Sequence, residues 1–413
     1  MITEELAIYG GPPAKSKPFP DWPMYDEREI TAVTRVIESR QWWRIVGTEV
    51  TAFEREFAAY HHNQAALAVT SGTDAIEVAL SALNIGAGDE VIVPAFSFIS
   101  SASAVLTVNA VPVFVDVLPD TYCIDPAAIE AAITPRTKAI MPVHMAGHVA
   151  DMDAILAIAE RHNLAVLEDA AHAQGAEWRG RRVGALGAGG IFSFQAGKLM
   201  TAGEGGLVLS DDPAFIERCF LFGSCGRPAT DRTYQHHVLG GNCRLPELLA
   251  AVLRVQLTRL DEQIERREQN APQLDALLRA IPGLEPQGHD PRVTRHSHYM
   301  YMFRYDAAAF HGLDRQQFVD MLIAEGVPAF IAYPPIYRTP VFRDRMFAPR
   351  WRQDDPLLPD YRNVSCPVAE AIGEQVVWLH HRVLLGDTQD LEDLAAAITK
   401  IRSHAERAVG VAG

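Results

Sequence analysis

The side chain with the clearest chemical potential in this sequence is that of Lys198. It follows the apolar run 190–194 within a glycine-rich segment, QAGKLMTAGEGG. The glycines predict a tight, irregular loop. A lysine held in such a loop beside a cleft can have a lowered pKa and attack a carbonyl carbon as the free amine. The alternative is an ordinary surface lysine, because most lysines are solvated charges.

Asp169 is a second candidate, because it ends the apolar run LAVLEDA (164–170). In an α/β sheet this position is the carboxyl edge, where ligands bind. A carboxylate there needs a partner, and a protonated ring nitrogen would serve. Ala170 and Ala171 leave room for a flat group, to which His172 can donate a hydrogen bond. An aspartate that only caps the following helix is the alternative.

Two further segments have the residue types to hold a phosphate and a planar ring. The segment 71–73 (Ser-Gly-Thr) opens a predicted helix after a strand, so free N–H groups and the helix dipole face an anion and Thr73 adds a hydroxyl. A plain helix N-cap would use the same residues. In PAFSF, either Phe96 or Phe98 could stack on a ring, although core packing would explain each of them equally well.

Short apolar runs alternate with helical patterns from about residue 27 to residue 265. The runs are bounded by turns and are nearly continuous in apolar residues, which is typical of buried parallel strands. Helices are predicted between them, for example over 73–83 and 152–163. This alternation predicts an α/β fold with a mostly parallel central sheet covered on both faces. The predicted strands are 66–70, 91–94, 111–117, 138–143, 164–170, 190–194 and 206–210.

Composition divides the chain into three predicted parts. Residues 1–25 are rich in proline and predict an extended N-terminal arm that lies over the body of the protein or over a second subunit. Residues 26–265 form the predicted large domain, which contains all four candidate segments and would bind the ligand that they suit. Residues 266–413 are predicted to form a smaller C-terminal α+β domain. The composition shifts there to aromatic, strand-like segments, and a helical pattern follows at 388–408. A long helical pattern at 247–281 joins the two, and Pro272 is expected to break or bend it.

Composition and charge exclude several classes of protein. The chain has 413 residues, 48% of them hydrophobic and 22% charged, which is ordinary for a globular protein. Its net charge of −15, without a basic stripe, argues against nucleic-acid binding. No apolar stretch approaches the roughly 18 residues of a membrane helix. The acidic N-terminus and five cysteines without a CxxC pair predict a cytoplasmic protein. The histidine pairs lack the spacing of metal ligands, so no metal site is expected.

The candidate segments together match the requirements of one cofactor, pyridoxal 5′-phosphate. This cofactor needs a phosphate site, an aromatic face, a carboxylate for its ring nitrogen and a lysine for its carbonyl carbon. Nearly the whole chain also resembles the DegT/DnrJ/EryC1/StrS family of sugar aminotransferases. The motifs that carry this resemblance are AIYGGPP, SGTDA, GDEVIVPAFSF, TPRTKAIMPVHMAGH, EDAAHAQGA, FSFQAGKLMTAGEGG and GGNCRL. The resemblance implies the aspartate-aminotransferase-like (type I) fold and dependence on pyridoxal phosphate.

The resemblance also implies a role for each matching residue. Lys198 would form the Schiff base with the cofactor and shuttle protons, and Asp169 would pair with the pyridinium nitrogen. His172 would approach the phenolic oxygen of the cofactor. The other implied contacts are Phe98 on the ring, Gly72, Thr73 and Ser193 on the phosphate, and Asn242 on the phosphate of the neighbouring subunit. The contact from Asn242 implies a homodimer with shared active sites.

Four residues are candidates for the substrate pocket, namely Trp43, His298, Tyr333 and Tyr337. Many family members that act on sugar nucleotides have a histidine at the position of Tyr337, which implies a different substrate here, one without a nucleotide. Core packing would explain Trp43 and Tyr333 equally well.

The resemblance leaves two reactions open. In the first, the chain transfers an amino group from glutamine or glutamate to a ring ketone of a cyclitol, an aminoquinate-like compound or a sugar, in antibiotic biosynthesis. In the second, it belongs to the 3-amino-5-hydroxybenzoate synthase subgroup, which dehydrates and aromatises an aminodehydroshikimate. Motifs such as QWWR (41–44), SCGRP (224–228) and VWLHHRVLL (377–385) resemble that subgroup. The same residues serve both reactions, because both need a stabilised carbanion beside an imine. Lys198 disfavours the dehydratases of the family, which have His at this position.

Overall fold

The computed structural model describes residues 5–231, 233–348, 350–352 and 354–412. Helices and strands alternate through its first part. The helices are α1 (Glu27–Ser39), α2 (Glu49–Tyr60), α3 (Gly72–Ala82), α4 (Ser100–Thr107), α5 (Pro126–Ala132), α6 (Met152–His162), α7 (Pro213–Gly223), α8 (Glu247–Arg279), α9 (Arg315–Ala324), α10 (Pro340–Arg343), α11 (Pro367–Gln375) and α12 (Thr388–Ala412). The strands are β1 (Ala65–Val69), β2 (Glu90–Pro94), β3 (Val111–Val115), β4 (Thr137–Ile140), β5 (Ala165–Asp169), β6 (Glu177–Trp178), β7 (Arg181–Arg182), β8 (Gly189–Ser193), β9 (Gly206–Ser210), β10 (Leu284–Pro286), β11 (Val293–Arg295), β12 (Met300–Tyr305), β13 (Ala329–Ile331) and β14 (Val376–His380).

The central layer is a seven-stranded sheet in the order β1-β9-β8-β5-β4-β2-β3. Strand β9 is antiparallel to both of its neighbours, and the other neighbouring pairs are parallel. All strands except β9 therefore point in the same direction and end at one edge. Strands β2, β8 and β9 are buried along their whole length, as expected for a sheet covered on both faces. These observations confirm the predicted α/β class and mostly parallel sheet.

Several of the helices that cover the sheet begin at side chains that accept a backbone hydrogen bond. Asp151 caps α6 by accepting a hydrogen bond of 3.1 Å from Ala154 N. Asp212 caps α7 by accepting one of 2.9 Å from Ala214 N, and proline at the first position of α7 needs no N–H partner. These caps mark where each helix starts after its strand.

The C-terminal part contains a four-stranded antiparallel sheet in the order β10-β12-β14-β13. Its strands pack with α9 and α12 around a second hydrophobic core, which includes Phe303, Phe318 and Leu394. The segment after β13 behaves differently, because Phe342 and Tyr361 belong to the core of the central sheet. The C-terminal region is thus a small α+β unit with one segment packed on the large one.

Helix α8 is continuous over its 33 residues and has Pro272 inside it. Of the two effects expected of Pro272, a break or a bend, the break is therefore wrong. Proline removes one backbone hydrogen bond, at a cost of about 3 kcal/mol, and the burial of Ala271 and Leu274 in the second core offsets this cost. The domain boundary predicted near residue 265 falls within this helix.

The N-terminal arm packs on the C-terminal part of its own chain. Leu6 and Phe19 are buried in the second core. The buried carboxylate of Glu325 accepts hydrogen bonds of 2.8 Å from Ala7 N and 2.7 Å from Ala14 N. The amine of Lys15 lies 2.9 Å from the carboxylate of Asp390 in α12. The arm is thus fixed along its length by burial, hydrogen bonds and an ion pair.

Two kinds of feature are absent from the residue ranges given above. There, no helix is both long and apolar enough to cross a membrane. The same ranges contain no group of three or more His, Cys, Asp or Glu side chains suited to hold a metal ion.

Candidate active site

A cavity of about 400 Å³ opens at the carboxyl edge of the central sheet. Strands β1, β2, β5 and β8 all end at this edge, and the residues that follow them form the walls. Ligand sites in open α/β sheets lie at such an edge. The predicted site residues that line the cavity are Gly72, Thr73, Phe98, Asp169, His172, Ser193, Lys198 and Tyr333.

Lys198 sits at the end of a tight turn after β8. Its backbone N donates a hydrogen bond of 2.8 Å to Gln195 O, and Gly197 N donates one of 2.9 Å to Gln195 Oε1. The Lys198 Nζ lies 4.4 Å from the centroid of the Tyr299 ring. Burial lowers the pKa of Lys198 to about 8, although the charge of Asp169 acts in the opposite direction. About a tenth of this amine is therefore uncharged at pH 7, far more than for an ordinary lysine, and the uncharged amine is the nucleophile.

Asp169 presents a buried carboxylate in a fixed orientation. Ser101 Oγ donates a hydrogen bond of 2.8 Å to its Oδ2, and Ala171 N donates one of 3.1 Å to its Oδ1. Burial raises the pKa of the Asp169 carboxyl above its ordinary value, and the hydrogen bond from Ser101 opposes that shift. A buried carboxylate of this kind favours a cationic partner, and a protonated ring nitrogen would provide one.

His172 places a neutral imidazole against the wall of the same cavity. Its ring stacks on that of Tyr299, with the centroids 4.3 Å apart and the planes at 29°. Burial holds the pKa of His172 well below its ordinary value. Its Nδ1 is buried and has no hydrogen-bond partner within the described part of the chain. That nitrogen is available to a polar atom of a ligand.

The start of α3 forms the part of the cavity suited to an anion. Ser71 caps this helix by accepting a hydrogen bond of 3.0 Å from Asp74 N. A Cβ at Gly72 would lie 2.9 Å from the Cβ of Ser193, so only glycine allows this approach. Thr73 Oγ1 lies 2.8 Å from Ser100 Oγ. The first N–H groups of a helix lack intrahelical partners, and with these hydroxyls they suit a phosphate.

The two phenylalanines of PAFSF have different environments. Phe96 is fully buried in the core. Phe98 is 50% exposed and lines the cavity, where its ring centroid lies 5.9 Å from that of Tyr333. Phe98 is thus the one of the pair that is accessible to a planar ring.

Two predicted substrate contacts, Tyr337 and His298, lie outside the cavity lining. Tyr337 is fully buried among core aromatic rings, and its hydroxyl accepts a hydrogen bond of 2.9 Å from Cys366 N. His298 stacks on His296, with the centroids 3.9 Å apart, and lines a separate cavity. Neither residue lines the cavity that holds Lys198 in this single chain, and their role in substrate binding stays a prediction. Core packing encloses Tyr337, and the backbone turns between His298 and its neighbour Tyr299.

Two other predicted residues, Trp43 and Asn242, lie on the surface of this chain outside the cavity lining. Trp43 is 49% exposed, and the guanidinium of Arg244 lies 6.0 Å from its ring. Asn242 is exposed and two residues from Arg244. The segments that carry Trp43 and Asn242 are therefore close together on one surface.

Sequence reasoning missed several residues of the cavity. Tyr299, which contacts both Lys198 and His172, directly follows the candidate His298 in the chain but was not among the predicted site residues. Ser101 belongs to a serine-rich helix start, which looks like ordinary capping in a sequence. Gln195 and Glu204 also line the cavity. The closeness of Ser101 to Asp169 depends on sheet order, for which a single sequence has no signal.

The described residues fit pyridoxal phosphate. The helix start at Gly72 and Thr73 suits its phosphate, Lys198 suits its carbonyl carbon, and Asp169 suits its ring nitrogen. The unpartnered Nδ1 of His172 suits its phenolic oxygen. Lys198, Asp169 and His172 are buried polar side chains, and the close approach at Gly72 requires a glycine. A bound ligand explains these features better than packing alone.

Comparison with known proteins agrees with this geometry. A model of the DegT/DnrJ/EryC1/StrS aminotransferase family matches residues 23–399. The 3-amino-5-hydroxybenzoate synthase of Amycolatopsis mediterranei is 50% identical over 386 residues, which cover 93% of this chain and 97% of that protein. The L-glutamine:2-deoxy-scyllo-inosose aminotransferase of Streptomyces fradiae is 40% identical over 424 residues, covering 98% of this chain and 99% of that protein.

A solved structure is similar over nearly the same length. The crystal structure of a 3-amino-5-hydroxybenzoic acid synthase superposes with a TM-score of 0.86 at 48% sequence identity, and it covers 94% of this chain and 100% of its own. Fold, cavity and sequence thus agree, and the chain belongs to the DegT/DnrJ/EryC1/StrS aminotransferase family, whose members depend on pyridoxal 5′-phosphate.

Proposed function

We propose that this protein transfers the amino group of L-glutamine, or of glutamate, to the ketone of a six-membered ring in antibiotic biosynthesis. The observation that carries the proposal is the buried amine of Lys198, which shares one cavity with the carboxylate of Asp169. The relatives named as L-glutamine:2-deoxy-scyllo-inosose aminotransferases support both the donor and the cyclitol class of acceptor.

Lys198 and Asp169 have different roles in the proposed reaction. Lys198 Nζ would hold the cofactor through its carbonyl carbon, and as a free amine it would shuttle the proton of the donor's Cα. Asp169, held by Ser101, would keep the ring nitrogen of the cofactor protonated. When bound, the cofactor supplies an electron sink for the carbanion. In the second half the same amine returns the proton in the opposite direction.

The rest of the cavity lining suits a hydroxylated ring. Ser97, Ser100 and Gln195 offer hydroxyl and amide groups, and Glu204 adds a carboxylate near the opening. Lys198 is the sole cationic side chain among the described residues that line the cavity. Hydroxyl groups can both donate to and accept from such partners, so a neutral cyclitol ketone matches this lining. We also propose that Phe98 and Tyr333 contact the rings of cofactor and substrate.

A second candidate is the 3-amino-5-hydroxybenzoate synthase reaction, favoured by the relative of that name at 50% identity. There the substrate already carries its amine and binds through it. Lys198 would remove a ring proton, a hydroxyl group would leave as water, and the ring would become aromatic. No amino donor is consumed in this reaction.

The two candidates differ in one measurable quantity, the amino donor consumed per turnover. The holoenzyme is mixed with L-glutamine or L-glutamate without an acceptor, and the visible absorbance of the lysine-bound cofactor is followed. Loss of this absorbance with formation of pyridoxamine phosphate supports the aminotransferase. Absorbance that depends on Lys198 and is indifferent to both donors, together with donor-independent aromatisation of an aminodehydroshikimate, supports the synthase.

We further propose a homodimer with shared active sites, located in the cytoplasm. Large apolar side chains are exposed in the segment 42–46, where Trp42, Ile45 and Val46 are each about half exposed, and Leu239 is 98% exposed. Surfaces of this kind mark contacts between proteins. In such a dimer Asn242 and Trp43 would reach the partner's cavity. The free thiols of the cysteines support a reducing compartment.

A further inference from the structure

We propose that Trp22 in the N-terminal arm is a positioning residue for Lys198, and that Arg267 and His381 hold Trp22 in place. The inference rests on the proposed role of Lys198 as the amine that binds the cofactor. Trp22 does not line the cavity, so it acts through the turn that carries the lysine.

The first link is a hydrogen bond between the arm and the lysine turn. Trp22 Nε1 donates a hydrogen bond of 3.1 Å to Ala196 O. Ala196 lies inside the turn that is closed by the hydrogen bond from Lys198 N to Gln195 O. Within the turn, Gly197 N also donates a hydrogen bond to Gln195 Oε1. The indole N–H thus restrains the backbone two residues before the amine.

The second link is the stacking of His381 on Trp22. The two rings meet edge to face, with centroids 4.5 Å apart and planes at 88°. Arg267 donates a hydrogen bond of 3.1 Å to His381 Nδ1. Because Nδ1 accepts this bond, the neutral imidazole carries its proton on Nε2, and the ring orientation is fixed. His381 therefore presents a rigid surface to the indole.

The third link is the unusual burial of Arg267. Its side chain is fully buried, and its Nε and one terminal nitrogen have no hydrogen-bond partner within the described residues. No carboxylate there pairs with it, and its guanidinium carbon lies 5.7 Å from the centroid of the Trp22 ring. Burying an unpaired charge is costly. A ring face is a favourable partner for such a cation, so the charge is retained where it fixes Trp22.

The N-terminal arm that carries Trp22 is itself fixed on the C-terminal unit. Lys15 pairs with Asp390, and Glu325 accepts hydrogen bonds from the arm backbone. The arm is thus anchored on the C-terminal unit, while Trp22 contacts a turn of the central sheet. The chain from Arg267 through His381 and Trp22 to Ala196 joins the two units directly behind the lysine.

The test compares Trp22→Phe, which keeps the ring and removes the N–H, with a matched control. Trp178 donates a hydrogen bond of 2.9 Å to Asp153, and the guanidinium of Arg292 lies 4.7 Å from its ring, so Trp178→Phe loses the same kind of bond elsewhere. Amide hydrogen exchange of peptides that cover 195–204 is measured on the full chain, together with the rate at which Lys198 captures added pyridoxal phosphate.

We expect Trp22→Phe to exchange faster in this peptide and to capture the cofactor more slowly, each by about fivefold, the equivalent of one hydrogen bond. Arg267→Met should have a smaller effect of the same sign, and Trp178→Phe should have none. Unchanged exchange and capture in Trp22→Phe would overturn the proposal, as would an equal change in Trp178→Phe. Neither measurement needs an amino donor or a ketone, so a failure of the proposed function would be seen separately.

Discussion

Ser101 Oγ, in the first turn of α4, donates a hydrogen bond of 2.8 Å to Oδ2 of Asp169, which ends β5. The two residues come from elements that are far apart in the sequence and meet only because the strands before them end at one edge. The serine fixes the plane of the carboxylate and stabilises its charged form against burial.

Replacing Ser101 with alanine should lower kcat about tenfold, because a hydrogen bond to a charged group contributes about 1.5–3 kcal/mol. The loss should raise the pKa of the Asp169 carboxyl further, so the acidic limb of the pH–rate profile should move to higher pH. Steady-state kinetics across pH measure both effects. Ser103→Ala, in the same helix but outside the cavity lining, is the control. Equal profiles for the two variants would contradict the role of Ser101.

The rate at which the protein captures pyridoxal phosphate should depend on the protonation of Lys198. Only the neutral amine attacks the carbonyl carbon, so the rate should rise with pH and level off above the lysine pKa of about 8. Below that pH the rate should fall about tenfold per unit, in proportion to the neutral fraction. Stopped-flow visible absorbance gives the rate at each pH. Lys198→Ala should show no absorbance change, whereas the exposed Lys138→Ala should match the wild type. A midpoint near the ordinary lysine value would show that the cavity does not lower the pKa.

Shared active sites should appear in a mixing experiment between two inactive variants. Lys198→Ala lacks the amine, and Asn242→Ala lacks the proposed contact with the partner's phosphate. In mixed dimers, one of the two sites has both groups intact, so random mixing should restore about a quarter of the wild-type sites. Activity and cofactor absorbance per chain measure this recovery. Each variant alone is the control, and no recovery after dissociation and reassembly would refute the sharing of Asn242.

Replacement of two buried cations, Arg267 and Lys15, by methionine should have different effects on the free energy of unfolding. Arg267→Met removes a buried guanidinium without a carboxylate partner, and the relief of its burial cost offsets the lost contacts with His381 and Trp22, so the free energy of unfolding should stay equal or rise slightly. Lys15→Met removes the buried cation from the carboxylate of Asp390, which keeps only the exposed Lys17 at 3.4 Å, and should lower that free energy by about 3 kcal/mol. Urea unfolding at one cofactor concentration compares the two. A large loss of stability in Arg267→Met would show that the cation has a pairing role that this structure does not explain.

The strands and helices of the central sheet were predictable from sequence because they depend on local patterns. The predicted runs at 91–94 and 206–210 coincide with β2 and β9 to within one residue. Pro272 was misjudged because tertiary packing outweighs the local preference of a proline. Local signals are thus reliable for element type, and they fail where burial supplies several kcal/mol.

The candidate site was only partly predictable, because a sequence does not show which way each side chain points. Lys198, Asp169 and Gly72 follow strands, so the common edge of the sheet brings them together. Tyr299 and His298 are adjacent in the chain, yet only Tyr299 lines the cavity with Lys198. Which of two neighbours faces a cavity depends on backbone angles: His298 has a φ of 52°, which its sequence does not indicate.

The continuity of α8 limits how this enzyme can move. An α-helix of 33 residues is about 50 Å long. Its first half packs against α1 and α2, and its last turns lie in the second core, so it acts as a strut between the two units. Rotation of one unit against the other would require this strut to bend, which is expensive compared with moving a loop. Opening the cavity by moving exposed residues such as Phe98 and Glu204 should therefore cost less free energy than rotating one unit against the other.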